Sequence, residues 1–176
     1  DNRILRFTNH SHWPVSYWEK FERYRIHNHF AALDSPGEWY LDRKTGTLYY
    51  WPRAEEDMED AEVVAPRLND LLLFQGNPEQ GQFVHHIRFI GLSFQHEDWS
   101  FDRKSTVDGQ AHAGQQNAAI TAFGLRNSSF ERCEIAHVGS HAIRLDQGCQ
   151  DNRIVQCHIH DCGGGAIYVG PDAKVG

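Results

Sequence analysis

The chain has 176 residues, of which 40% are hydrophobic and 23% charged, with a formal net charge of -7; this is the composition of an ordinary globular protein with enough apolar residues for a sizeable core. The acidic balance leaves no basic stripe to neutralise phosphates, so nucleic acid is excluded as a partner and an anionic membrane is disfavoured. No run approaches the roughly 18 apolar residues of a transmembrane helix, no signal peptide stands in the chain, and Cys133, Cys149, Cys157 and Cys162 match no paired zinc spacing.

Residues 1–33 are rich in aromatic side chains and histidine. His10 with His12, and His27 with His29, form two H-x-H pairs, which on a strand point to one side and suit a metal ion. No carboxylate or cysteine stands at a supporting spacing, so the alternative is surface or packing histidines, and no metal is assigned. Next, Glu38-Trp39-Tyr40-Leu41-Asp42 and Thr47-Leu48-Tyr49-Tyr50-Trp51 flank Arg43-Lys44-Thr45-Gly46. Two alternating aromatic runs around a polar turn ending in glycine predict a β-hairpin, with Gly46 supplying positive φ. Pro36-Gly37 and Pro52 punctuate it on either side. The acidic run 55–60 predicts a solvated loop, and 62–65 and 71–74 predict two further strands.

From Val84 the chain repeats. Over 127–170, an offset of 24 lays Phe130 on Ile154, Cys133 on Cys157, Ile135 on Ile159, Gly139 on Gly163, Ala142 on Ala166, Ile143 on Ile167 and Leu145 on Val169. Helical repeats need apolar residues at helical spacing over long stretches, and none is present. Alternations such as Ile143-Arg144-Leu145 and Ile167-Tyr168-Val169 instead read as strands with one buried face. Several short strands per unit, closed by polar turns, describe a right-handed parallel β-helix whose coils lie about 4.8 Å apart. Phe89, Leu92 and Phe94 match Phe130, Cys133 and Ile135 at an offset of 41, and Ile120 matches Ile143 at 23. At least three coils therefore run over 84–170, with an excursion inserted at 97–117. The predicted class is all-β: a β-rich segment over 1–80 with a hairpin at 38–51, then a parallel β-helix over 81–176. Cys133 and Cys157, in register on neighbouring coils, read as buried thiols, with a disulfide as the alternative. Both ends open on strand or coil sequence, so a fragment of a longer solenoid, self-associating through its open ends, is expected.

The runs Ala32-Leu33-Asp34-Ser35-Pro36-Gly37-Glu38-Trp39-Tyr40-Leu41-Asp42, Gly46-Thr47-Leu48-Tyr49-Tyr50, Ala61-Glu62-Val63-Val64-Ala65-Pro66 and Ile87-Arg88-Phe89 with Gly91-Leu92-Ser93-Phe94 resemble secreted bacterial β-helix proteins that act on carbohydrate, in particular glycoside hydrolase family 141. The resemblance covers most of the chain and rests on hairpin and strand motifs. It implies α-L-fucosidase or xylanase chemistry on plant cell-wall glycans, and a secreted or periplasmic location. It also implies an acidic residue directly after the Ile-Gly of the last strand. Here Val169-Gly170 is followed by Pro171-Asp172, so the carboxylate stands one residue later.

Stacked coils turn outward residues into rows. With Ile143 and Leu145 inward, the outward row is Thr121, Arg144 and Tyr168, with Asp146 at the strand end and Asp172 just past the matching end one coil later. Backbones one coil apart, with loop slack, bring two carboxyls within the roughly 5–5.5 Å of retaining or 6.5–9.5 Å of inverting glycosidases. Asp146 and Asp172 are thus the candidate catalytic pair. Arg144 and Tyr168 are candidates to bind sugar hydroxyls, and His141 to carry a proton. The alternative is that both aspartates are turn residues. A second row of turns, His96, His137 and Asp161, adjoins Glu97, Asp98 and Trp99, which open the excursion. Trp99 and Asp98, with His112 inside the excursion, are candidates to face a sugar ring. The readings are a glycoside hydrolase without a cofactor, a lyase or epimerase on the same fold that would call for calcium, and a non-catalytic carbohydrate-binding or spike-like module.

Overall fold

The computed structural model describes residues 17, 20–21, 26–99 and 117–170. The chain forms two compact units, Asp1–Val63 and Val64–Gly176. No helix among the described residues is long and apolar enough to cross a membrane.

In the first unit, β1 (Trp39–Asp42) and β2 (Thr47–Tyr50) form the expected hairpin, with Trp39 opposite Tyr50 and Asp42 opposite Thr47. Gly46 closes the turn at φ +73°, and its N–H donates to the Asp42 carbonyl at 2.8 Å. The Asp42 side chain accepts the Lys44 N–H at 2.9 Å, a local bond typical of aspartate in turns. A 3-10 turn at Phe30–Ala32 sets Phe30 edge-on against Tyr40 and Tyr49, each at 5.4 Å. His29 caps that turn, its Nδ1 accepting the Ala31 N–H at 3.2 Å. His10 and His12 lie outside the described residues.

The second unit is a coil stack with three main sheets. One coil carries β3 (Leu72–Gln75), β4 (Val84–His85), β5 (Arg88–Ile90) and β6 (Ser93–Glu97). The next carries β7 (Ala118–Phe123), β8 (Leu125–Arg126), β9 (Ser129–Glu131) and β10 (Glu134–Val138). The last comprises β11 (His141–Leu145), β12 (Arg153–Val155) and β13 (His158–Ile159), followed by β14 (Ile167–Val169). Like strands pair in parallel across coils: β3-β7-β11-β14, β5-β9-β12 and β6-β10-β13. The registers Phe130 to Ile154, Ile135 to Ile159 and Ile143 to Ile167 are those of the 24-residue offset.

The stack begins one rung before Val84, because Leu72 pairs with Ile120 and Phe74 with Ala122. The segment 62–65, expected as a strand, forms none. No inward face supports it: Val63 is 66% exposed, and Pro66 follows without a backbone N–H.

Inside, Phe89 stacks on Phe130 at 5.0 Å, with Phe74 and Phe94 edge-on around them. Ile120, Leu125, Ile135 and Ile143 are fully buried. All four cysteines are free thiols, and each donates to a backbone carbonyl, as Cys157 does to Phe130 at 3.3 Å.

The corners explain how so short a coil closes. His86, Asn127 and Asp151 form one column of left-handed residues, Gly91, Arg132 and Gln156 a second, and His96, His137 and Asp161 a third. One left-handed residue between two extended ones turns the chain sharply without interrupting the lateral hydrogen bonds. At the neighbouring corner the repeated glycines are a packing requirement. A Cβ on Gly163 would lie 2.3 Å from the Gly139 carbonyl oxygen, and one on Gly139 would lie 2.6 Å from Trp99 Cβ.

Candidate active site

Parallel pairing of β7, β11 and β14 brings Thr121, Arg144 and Tyr168 into one lateral row, the row expected from alternation. β3 adds Leu73 to it. The row is covered at its centre, where Thr121 and Arg144 are buried, and open at Leu73, which is 43% exposed. The side chains of Arg144 and Asp146 are only 8% and 5% exposed, and the guanidinium is paired with the Asp146 carboxylate. Charges this far from water persist only when paired.

The remaining neighbours organise around that pair. The Arg144 guanidinium carbon lies 5.6 Å from the centre of the Tyr168 ring, within cation–π reach. Asp146, at the end of β11, accepts the Gln147 N–H at 2.6 Å. His141 is buried, 5.9 Å from the Tyr168 ring, and its Nδ1 accepts the Gly165 N–H at 2.8 Å. Nδ1 also lies 3.2 Å from the Gly165 carbonyl oxygen; when it accepts the Gly165 N–H, Nε2 is the ring's donor. Beyond the strand end, a groove of about 520 Å³ is lined by Asp146, Gln147, Asn152, Val169 and Gly170 among others. His141, Arg144, Asp146 and Tyr168 are therefore brought together. Asp172 and His112 lie outside the described residues.

Asp98 and Trp99 belong to a different corner. The Asp98 N–H donates to the Leu68 carbonyl at 2.8 Å, and Trp99 packs over Gly139. Between them and the row sits a carboxyl that the sequence reading leaves out of the site. Glu97 is 3% exposed, with Oε2 accepting the Gly139 N–H at 2.8 Å and Oε1 accepting the Ser140 hydroxyl at 2.9 Å. Burial pushes its carboxyl above the usual range, against the pull of the Ser140 and Gly139 hydrogen bonds. Asp70 adds a smaller upward push and also accepts the Thr121 hydroxyl at 3.4 Å. The register held the signal for Glu97: it pairs with Val138, which bridges to Cys162, so it is an acid in an otherwise apolar column.

The row and its strand end thus offer an aspartate gripped by a guanidinium, a histidine and a tyrosine ring, while the buried Glu97 carboxyl is bound to the neighbouring corner at Gly139 and Ser140. Such a set can hold a sugar, accept a proton and donate one.

Two family models match the chain. The right handed beta helix region matches residues 84–175, and the GH141 insertion domain matches residues 5–53. No curated protein and no solved structure matches it.

Proposed function

Since the chain belongs to the right-handed β-helix family and its GH141 insertion-domain match relates it to the glycoside hydrolases, we propose that it is a secreted or periplasmic glycoside hydrolase acting on a plant-type polysaccharide or its oligosaccharides. The observation that carries the reading is the Asp146 carboxylate, held by Arg144 beside the groove at the end of β11. In this reading Asp146 is one member of the carboxyl pair and Asp172 the other. Arg144 positions Asp146, Tyr168 receives a sugar face, and His141 presents Nε2–H to a hydroxyl or a leaving oxygen.

The test is a polysaccharide panel assayed for new reducing ends and for the ultraviolet signal of an unsaturated uronide, each with and without chelator. Reducing ends without the ultraviolet signal are expected. Asp146→Asn and Asp172→Asn are each expected to lower turnover at least about 100-fold, the scale of a lost general acid or base. Unchanged turnover in both variants overturns the assignment, and an ultraviolet signal abolished by chelator makes the protein a lyase instead.

The hairpin favours a second reading, a carbohydrate-binding role without catalysis. Trp39 is 60% exposed, with Tyr49 and Trp51 also open to solvent, and exposed aromatic faces stack on sugar rings. Silence in both assays, with retained binding to a polysaccharide that Trp39→Ala abolishes, is the outcome that selects it.

A further inference from the structure

The sheet β6-β10-β13 carries a second group of titratable side chains on its outward face. Glu134 and His158 are register partners on neighbouring coils. His160 follows two residues after His158, so both imidazoles project from the same side of the chain. One ligand atom from each of the three lies within 4.8 Å of the others.

Two of the three ligands are already aimed. His160 Nδ1 lies 3.0 Å from Asp161 Oδ2, which leaves Nε2 facing Glu134 Oε1 at 3.3 Å. The other oxygen of Glu134 accepts hydrogen bonds from Ser93 Oγ and Gln95 Nε2, both at 2.8 Å. Oε1 is thereby turned toward the imidazoles. The His158 ring stacks on His160 at 4.2 Å and remains exposed to solvent.

The geometry fits a metal better than a bare ion pair. Bonds of about 2.0–2.1 Å at tetrahedral angles put neighbouring ligand atoms about 3.3 Å apart, and Glu134 and His160 already stand at that separation. A rotation of the exposed His158 ring brings in the third. A carboxylate that orients a ligand histidine through its second nitrogen, as Asp161 does here, is the usual outer partner of metal-bound imidazole. Two imidazoles and one carboxylate suit zinc, nickel or copper, whereas calcium prefers oxygen throughout.

We propose that Glu134, His158 and His160 form a three-ligand site for a divalent transition-metal ion, with Asp161 as the positioning residue for His160 and a fourth position open to water. Because its ligands come from two coils, the bound ion ties β13 to β10 and stabilises the stack by linkage.

The test is calorimetric titration of Zn²⁺ into the chelator-stripped full chain, with the thermal midpoint read alongside. His158→Gln and His160→Gln are each expected to remove one ion from the stoichiometry, or to weaken that ion at least tenfold and cancel its thermal shift. Asp161→Asn is expected to weaken binding about tenfold with all three ligands in place. Replacing His27 and His29 by glutamine, or Cys162 by serine, is expected to leave this ion bound. Histidine carbethoxylation mapped by mass spectrometry reads the native chain directly: Zn²⁺ should shield His158 and His160 and leave His27 reactive. Absence of saturable Zn²⁺ binding, unaltered binding in the His158 and His160 variants, or equal labelling of both histidines with and without Zn²⁺ overturns the proposal.

Discussion

Two faces of one coil stack treat charge in opposite ways. On the β11 face, Arg144 and Asp146 pair with only 8% and 5% of their side chains exposed, at the edge of the groove. On the β10 face, Glu134, His158, His160 and Asp161 form a network that solvent reaches. The strands bearing these faces are consecutive, joined by Gly139 and Ser140. Cover, not backbone, makes the difference. A covered pair is costly to break whatever its net contribution, because a lone charge is left in a poorly polar site. An exposed network adds little to stability and leaves its members available to a ligand.

The largest expected effect breaks the covered pair. Arg144→Met strands Asp146 and should cost about 3–5 kcal/mol, a fall in melting temperature on the order of ten degrees. Adding Asp146→Leu should restore most of it; failure of the double variant to recover would show that the pair is not the source of the loss.

Glu97 comes next. Glu97→Ala leaves the Gly139 N–H and the Ser140 hydroxyl without their acceptor and should cost about 2–3 kcal/mol by denaturant titration. Glu97→Gln keeps an acceptor for Gly139 and should cost far less. Burial raises this carboxyl above its ordinary 4.5, so the folded chain holds the proton more tightly than the unfolded chain. The resulting stability is complete below pH 4.5 and is lost as pH rises through the folded-state value. Relative to Glu97→Gln, the native chain should therefore lose stability across that window, and parallel pH curves for the two would contradict the argument.

Smaller effects are expected on the open side. Arg132 is an exposed corner residue at φ +50°, a conformation that costs a side chain roughly 1–2 kcal/mol. Arg132→Gly should leave the melting temperature equal or slightly higher, and Arg132→Val should lower it. The smallest effect belongs to His160, which Asp161, and then Glu134, hold above the ordinary 6.5. Its contribution is complete below that value and disappears as pH rises through the folded-state value. The gap in melting temperature between the native chain and His160→Asn should accordingly close on going from mildly acid to alkaline solution without added metal.

The coil stack was largely legible because its signals are local. Ile143-Arg144-Leu145 alternates, and identical offsets carry Cys133 to Cys157 and Gly139 to Gly163. From these, with the offset of 23 that carries Ile120 to Ile143, follow the register and the row Thr121, Arg144, Tyr168. The first rung, Leu72–Gln75, escapes the offset because an irregular connection with a 3-10 turn at Pro78–Gln80 separates it from β4. One column of corners, His96, His137 and Asp161, was legible as a row of turns, and all three are left-handed. At Arg132 and Gln156 the same conformation is imposed by coil closure and leaves no mark in the residue. The candidate site was legible in membership more than in environment. Arg144 and Asp146 read as surface charges, since burial depends on what covers them, and no short-range pattern encodes that. His158 and His160 form a third H-x-H pair, whose supporting carboxylate, Glu134, stands 24 residues earlier in the chain and becomes its neighbour only across the coils.

The two connections that lead into the β7-β11 rungs differ greatly in length. β10 reaches β11 through two residues, whereas β6 reaches β7 through 98–117. Even so, Ile120 sits against Ile143, and Thr121 against Arg144, in unbroken register. Extra chain at this corner is invisible to the rungs on either side of it. It is therefore a natural graft point: a peptide exchanged between Trp99 and Asn117 keeps Glu97 and Trp99 as its anchor without retuning the solenoid, while an insertion of one residue inside β10 or β11 would reverse every side chain beyond it. Ligand preference can diversify at such a corner by length alone, leaving the scaffold unchanged.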